Sequence, residues 1–320
     1  MLLLLIFILI CIIILYFFGN VVESNTNLYF KYKTLYYNGG PVNLNNIEEF
    51  VSYYENIELH LPPKNKKEIK WNNINQKTEY VLYFLHGFNT NKGEGFEFVN
   101  QLGTLLKANI LFARLPGNGL YNKETSYNNL SFYHSLRTIY DDLILLSILG
   151  EKIILIGSST GCTYNVISTC LFDFNIYKNI FFSPNFGLHI IPSNIAIILS
   201  SGFGKYLVHL LSDKLVLDGT ITSPDILIPL IGSMKAFQRI KHNYKTDCII
   251  FASERDEFVS HSKTLNFFEN MKANKKHLYI FRKESNHPCL TLKNFYDLYL
   301  KKIELFLKDE MNSVIKEYID

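Results

Sequence analysis

One stretch, Lys152-Ile-Ile-Leu-Ile-Gly-Ser-Ser-Thr-Gly-Cys-Thr-Tyr164, limits what this chain can fold into more than any other. Ile153 to Ile156 is an apolar run that reads as a buried strand and stops at Gly157, and from Thr160 onward the pattern reads as a helix. Between them, Gly157-Ser158-Ser159-Thr160-Gly161 matches G-x-S-x-G. In a strand-to-helix context this is a nucleophile elbow. The turn is so tight that the positions two before and two after the serine must lack bulk, which Gly157 and Gly161 satisfy. Ser159 is then held at the tip with its oxygen exposed, and the N–H of Thr160 points to where an oxyanion would form. A pentapeptide of common residues occurs often by chance; the strand before it and the helix after it give it weight. A base, an acid and a second oxyanion donor must come from elsewhere in the chain.

Composition excludes several classes. With 320 residues, 48% hydrophobic and 19% charged, the chain can bury a sizeable core and is not of disordered type. A net charge of +3 gives no electrostatic case for nucleic acid as a partner. The five cysteines, Cys11, Cys162, Cys170, Cys248 and Cys289, form no C-x-x-C pair and no Cys/His cluster with zinc spacing. They read as small buried hydrophobes, and neither a metal nor a cofactor is expected.

Leu2 to Phe18 carries no charge, and the first charged side chain is Glu23. At 1.5 Å per residue the run spans roughly 25 Å, near the lower limit for a bilayer core. No basic residue precedes it and no small-residue cleavage site follows, so an uncleaved single-pass anchor is expected, with secretion after cleavage as the alternative. Lys31 and Lys33, counted as positive-inside, favour the cytoplasmic side for the remaining chain, without fixing which side it faces.

Further along, Asn56 to Leu61 alternates like an edge strand, and Pro62-Pro63-Lys64-Asn65-Lys66-Lys67 reads as a solvated turn. Tyr80–Leu85, Asn109–Arg114, Asn179–Phe182, Thr246–Ala252 and His277–Phe281 are short apolar runs of strand type, the last being the final strand. Helical spacing separates them at 95–107, 129–149, 259–271 and at the end of the chain, where Phe295, Tyr299, Ile303 and Phe306 share a face. This alternation predicts an α/β architecture, a mostly parallel sheet with helices on both faces. Residues 186–240 break the rhythm and read as a cap inserted after the sixth strand. The expected organisation is an N-terminal segment (1–20), strands and loops leading into the core (21–77), the core (78–185 and 241–320) and the cap (186–240).

A serine nucleophile needs a base in reach and an acid that orients the base. Ser253-Glu254-Arg255-Asp256-Glu257 follows the penultimate strand and Glu284-Ser285-Asn286-His287-Pro288 follows the last. Both loops leave the C-terminal edge of the sheet, where sites form in open α/β sheets. His287 is the candidate base. Asp256, favoured over Glu254 and Glu257 for its reach back from the strand end, is the candidate acid. In His86-Gly87-Phe88, after the strand 80–85, the Phe88 N–H is the candidate second oxyanion donor, with His86 shaping the loop. Cys162 and Cys289 do not stand at an elbow tip.

His86-Gly87-Phe88, Leu115-Pro116-Gly117-Asn118-Gly119, the elbow, Ser253-Glu254-Arg255-Asp256 and Asn286-His287-Pro288 together resemble the α/β-hydrolase superfamily. Within it they resemble lid-bearing carboxylesterases and monoacylglycerol-lipase-like serine hydrolases, in that family's order over about residues 78–308. The resemblance implies an α/β-hydrolase fold, Ser159 as nucleophile, His287 as general base, Asp256 as orienting acid, Phe88 and Thr160 as oxyanion donors, and 186–240 as a lid over an acyl pocket. It implies hydrolysis of a small, lipid-like carboxylic ester. Peptidases, thioesterases and acyltransferases share this triad, and a binding protein that lost the reaction is a further alternative. The chain departs from the family at Ser158, Cys162 and Asn118, none of them a triad position.

Overall fold

The computed structural model describes residues 2–18, 30–58, 60–120, 130–189, 215–217, 220–222, 224–284 and 286–320. Its centre is an eight-stranded sheet. In chain order the strands are β1 (Glu68–Lys70), β2 (Thr78–Leu85), β3 (Asn109–Phe112), β4 (Gly150–Ser158), β5 (Ile176–Phe182), β6 (Cys248–Ser253), β7 (Lys276–Phe281) and β8 (Val314–Ile319). Across the sheet they run β8-β7-β6-β5-β4-β2-β3-β1. Only β1 is antiparallel to its neighbour; every other pairing is parallel.

The apolar runs of the sequence are continuous because both faces of this sheet are covered. Val81, Tyr83, Leu85, Ile153, Leu155, Phe181 and Ile250 face one core, while Leu82, Phe84, Ile154, Ile156, Phe182 and Phe251 face the other. The first core is closed by helices α4 (Phe132–Leu149), α5 (Thr160–Leu171), α6 (Leu227–Ile240) and α7 (His261–Asn270). The second is closed by α3 (Phe96–Leu106) and α8 (Tyr296–Leu307), where Tyr299 meets Phe98, Phe182 and Phe251 edge-on. A strand that must be apolar on both sides cannot alternate.

Several expectations are corrected. Among the described residues of 56–61 there is no edge strand: α2 (Ile47–Ile57) runs through the start of that stretch. Its buried Ile47, Phe50 and Val51 are spaced for one helical face, and packing of that face overrides the local alternation. At the end of α2 the buried Glu55 carboxylate receives Arg114 Nε at 2.7 Å and Nη2 at 3.1 Å, tying the N-terminal region to the loop after β3. Burial alone would raise the Glu55 carboxyl, but the Arg114 hydrogen bonds and charge outweigh it and hold it below the usual carboxylate value.

Nor is 277–281 the last strand, because β8 adds in parallel beside β7. β8 is mostly exposed, and Lys316 and Glu317 guard its open edge by pairing with Glu269 and Lys302. Lastly, among the described residues no helix is long and apolar enough to cross a membrane. The N-terminal run folds as the 17-residue helix α1, Leu2–Phe18. At about 25 Å it is shorter than a hydrocarbon core of about 30 Å. The side chains of Leu2 to Ile10 are exposed.

The expected cap follows β5, the fifth strand of this sheet rather than the sixth, and most of it, 190–214 together with 218, 219 and 223, lies outside the described residues. Its described parts are an antiparallel pairing of Leu215–Leu217 with Thr220–Thr222 and helix α6. α6 is packed into the core: Phe237 stacks on Phe186 at 4.8 Å, and the Tyr164 hydroxyl donates to the Pro229 carbonyl at 3.2 Å.

Candidate active site

Ser159 sits between β4 and α5 with φ 50° and ψ −114°, a left-handed conformation that a side-chain-bearing residue rarely adopts. Three backbone hydrogen bonds hold it there. Its N–H donates to the Phe182 carbonyl at 2.9 Å, and its carbonyl accepts from Cys162 at 3.1 Å and Asn185 at 3.0 Å. The flanking glycines are required by close approach. A Cβ on Gly157 would lie 2.6 Å from the Cys162 nitrogen, and one on Gly161 would lie 2.0 Å from the Leu85 carbonyl oxygen. The strand-to-helix turn therefore presses directly against the end of β2, where the His86 loop begins.

Ser159, Asp256 and His287 follow β4, β6 and β7 at the same edge of the sheet, and the three side chains meet. His287 Nε2 is 2.9 Å from Ser159 Oγ, and His287 Nδ1 is 2.8 Å from Asp256 Oδ2. Asp256 is buried, and its other oxygen accepts the N–H groups of Phe258 and Val259, each at 3.0 Å. Since an ionised carboxylate only accepts, the imidazole proton belongs on Nδ1, leaving the Nε2 lone pair to the serine hydroxyl. Phe258 lies against the imidazole, with ring centres 5.3 Å apart. This line can draw a proton from Ser159 Oγ as that oxygen attacks a carbonyl carbon. Glu254 and Glu257 are both exposed.

Phe88 and Thr160 line one narrow cleft of about 20 Å³, room for about one water-sized group. Thr160 opens α5, so its N–H has no carbonyl one turn earlier to bond. Leu115, Pro116, Tyr164, Ile226, Pro229 and Leu230 supply the apolar walls.

His86 is fully buried and its ring is satisfied as a neutral group. The Leu115 N–H donates to Nε2 at 3.3 Å, which puts the ring proton on Nδ1, donating to the Gly87 carbonyl at 2.8 Å. Burial, with Arg114 nearby, brings its pKa from 6.5 down to about 4. The unfolded chain therefore binds this proton first, and stability is lost as pH falls from about 6.5 toward 4. The loss approaches roughly 3 kcal/mol at about 1.4 kcal/mol per unit. Urea midpoints of wild type and His86→Gln, compared at pH 7 and pH 4.5, are expected to differ in slope with pH. Equal acid sensitivity in both would count against this account.

Burial pushes the Cys289 thiol up to about 12 and the Cys162 thiol well above its ordinary value, so neither offers a thiolate near neutral pH. Among the described residues no group of three His, Cys, Asp or Glu side chains could hold a metal ion. One residue the sequence did not single out belongs here: the Glu94 carboxylate accepts the Gly87 N–H at 2.7 Å behind the Phe88 loop. Nothing in the spacing of Asn91-Lys92-Gly93-Glu94 announces this contact.

The sequence matches no family model and no curated protein. The fold, however, has clear counterparts among solved structures. A structure from the metagenome-derived lipolytic enzymes LipS and LipT is 14% identical, covering 78% of this chain and 99% of its own, with a TM-score of 0.64. A soluble variant of monoglyceride lipase from Saccharomyces cerevisiae, in complex with a substrate analogue, is 14% identical over 77% and 91%, with a TM-score of 0.59. The monoacylglycerol lipase of Paleococcus ferrophilus is 16% identical over 76% and 98%, with a TM-score of 0.57. With the parallel sheet and its strand order, these likenesses give the chain the α/β-hydrolase fold.

Proposed function

We propose that this chain is a serine hydrolase that cleaves a carboxylic ester through an acyl-enzyme on Ser159. The observation that carries the reading is the hydrogen-bonded line from Ser159 Oγ through His287 to Asp256 Oδ2, at 2.9 and 2.8 Å, on a strained elbow tip. In this reading His287 takes the serine proton as Oγ attacks the carbonyl and returns it to the leaving alcohol. Asp256 steadies the imidazolium between the two steps. The Phe88 and Thr160 N–H groups receive the oxyanion, and a water activated by His287 then releases the acid.

A lipid-like substrate is supported by the likeness in fold to several lipolytic enzymes. The part of 186–240 that precedes α6 acts in this reading as the lid. In this reading the exposed apolar side chains of α1, a helix with no polar face, enter a lipid layer. The test is hydrolysis of p-nitrophenyl esters of graded acyl length by wild type and by protein lacking residues 2–18, with and without vesicles. The expected result is ester cleavage by both, and vesicle binding by the full chain alone. Folded wild type that cleaves no ester in the series would end the reading.

A further inference from the structure

The direction of the Phe88 N–H is set by the peptide plane it shares with the Gly87 carbonyl, because N–H and C=O of one trans peptide point in opposite directions. Three groups hold that plane and the one before it. The Gly87 carbonyl accepts His86 Nδ1 at 2.8 Å and the Thr90 hydroxyl at 3.2 Å. The preceding N–H, that of Gly87, donates to Glu94 Oε2 at 2.7 Å. Thr90 Oγ1 also lies 3.1 Å from Glu94 Oε2, so its single proton is shared between the carboxylate and the carbonyl.

Glu94 closes a short helical turn, Lys92–Glu94, which Asn91 caps by accepting the Gly93 N–H, so its carboxylate arrives from a fixed backbone. It also stands close to the reacting centre. A Cβ built on Gly87 would lie 3.1 Å from Glu94 Oε1 and 3.2 Å from Ser159 Cβ, so carboxylate and nucleophile flank the same side of Gly87. Burial raises the Glu94 carboxyl above its ordinary value, while the hydrogen bonds from Gly87 and Thr90 work the other way. Glu94 is half-buried, and a carboxylate drawn partly out of water is costly to keep.

We propose that Glu94 is a positioning residue for the reaction: it holds the His86–Gly87 peptide while Thr90 holds the carbonyl of the Gly87–Phe88 peptide, so that the Phe88 N–H faces the oxygen of the tetrahedral intermediate. This rests on Ser159 being the nucleophile. Glu94 itself does not touch the substrate. Its effect is felt where the oxyanion forms, and therefore in kcat more than in KM.

The test measures kcat and KM on a short p-nitrophenyl ester, together with the rate of phosphonylation by a fluorophosphonate, for wild type, Glu94→Ala, Glu94→Gln and Thr90→Val. Removing an oxyanion donor outright costs about 100- to 1000-fold, so loosening one is expected to cost about 10- to 100-fold in Glu94→Ala, with KM within about twofold. Glu94→Gln keeps an oxygen for the Gly87 N–H and should recover most of the loss. Thr90→Val should lower kcat and phosphonylation in the same direction even where Glu94→Ala does not fold. Unchanged kcat in folded Glu94→Ala or Thr90→Val, or a Gln variant as impaired as the Ala variant, would overturn the proposal. Wild type that is phosphonylated at Ser159 but cleaves no ester would end only the ester reading, since phosphonylation of the variants still reports on these contacts.

Discussion

Ser159→Ala is expected to abolish turnover, lowering kcat by about 10⁴- to 10⁶-fold, with substrate affinity and fold intact. The size follows from what the hydroxyl does. It hydrogen-bonds His287 Nε2, and the backbone bonds that fix the elbow belong to the Ser159 N–H and carbonyl, which alanine keeps. Nothing in the core depends on Oγ, so the melting temperature should hold or rise slightly, as happens when a strained site loses a group retained for function. Kinetics on a responsive p-nitrophenyl ester and a thermal melt of the same preparation check both halves. A variant that kept turnover within tenfold of wild type would remove Ser159 from the chemistry.

Asp256→Asn should cost nearly as much, about 10⁴-fold, although it removes a charge and almost no volume. The geometry explains why. One carboxylate oxygen accepts from Phe258 and Val259, so an asparagine placed here keeps its carbonyl oxygen on those two N–H groups. Its NH₂ then replaces Oδ2 and donates toward His287 Nδ1, 2.8 Å away in wild type. The imidazole can meet a donor only with its lone pair, which moves the ring proton to Nε2, facing Ser159 Oγ. A base presenting a proton to the nucleophile cannot accept one. Steady-state rates for the variant, with circular dichroism to show an unchanged fold, test this. Activity within tenfold of wild type at neutral pH would mean that Asp256 does not set the tautomer.

What the sequence could and could not reveal follows from how each feature is encoded. The parallel strands were legible because burial on both faces demands unbroken apolar runs, as in Tyr80–Leu85 and Ile153–Ile156. The elbow was legible because close approach leaves only glycine at 157 and 161. Positions 256 and 287 could be picked out because each follows a strand end. β8 escaped notice because an exposed edge strand with Lys316 and Glu317 has no such run to display. Residues 56–61 misled because α2 owes its helix to packing of Ile47, Phe50 and Val51, while the local alternation pointed to a strand. Glu94 was invisible since its partner is a backbone N–H, which any residue but proline carries. The length of α1 was readable from the start, and among the described residues no helix is long and apolar enough to cross a membrane.

The measurement that bears most directly on the account is covalent labelling of the folded, full-length chain by a fluorophosphonate, followed by intact mass and peptide mapping. The account predicts one phosphonyl adduct per chain, on the peptide that carries Ser159, absent from Ser159→Ala and slowed in Asp256→Asn. A folded wild-type chain that takes up no adduct, or carries it on another residue, would contradict it.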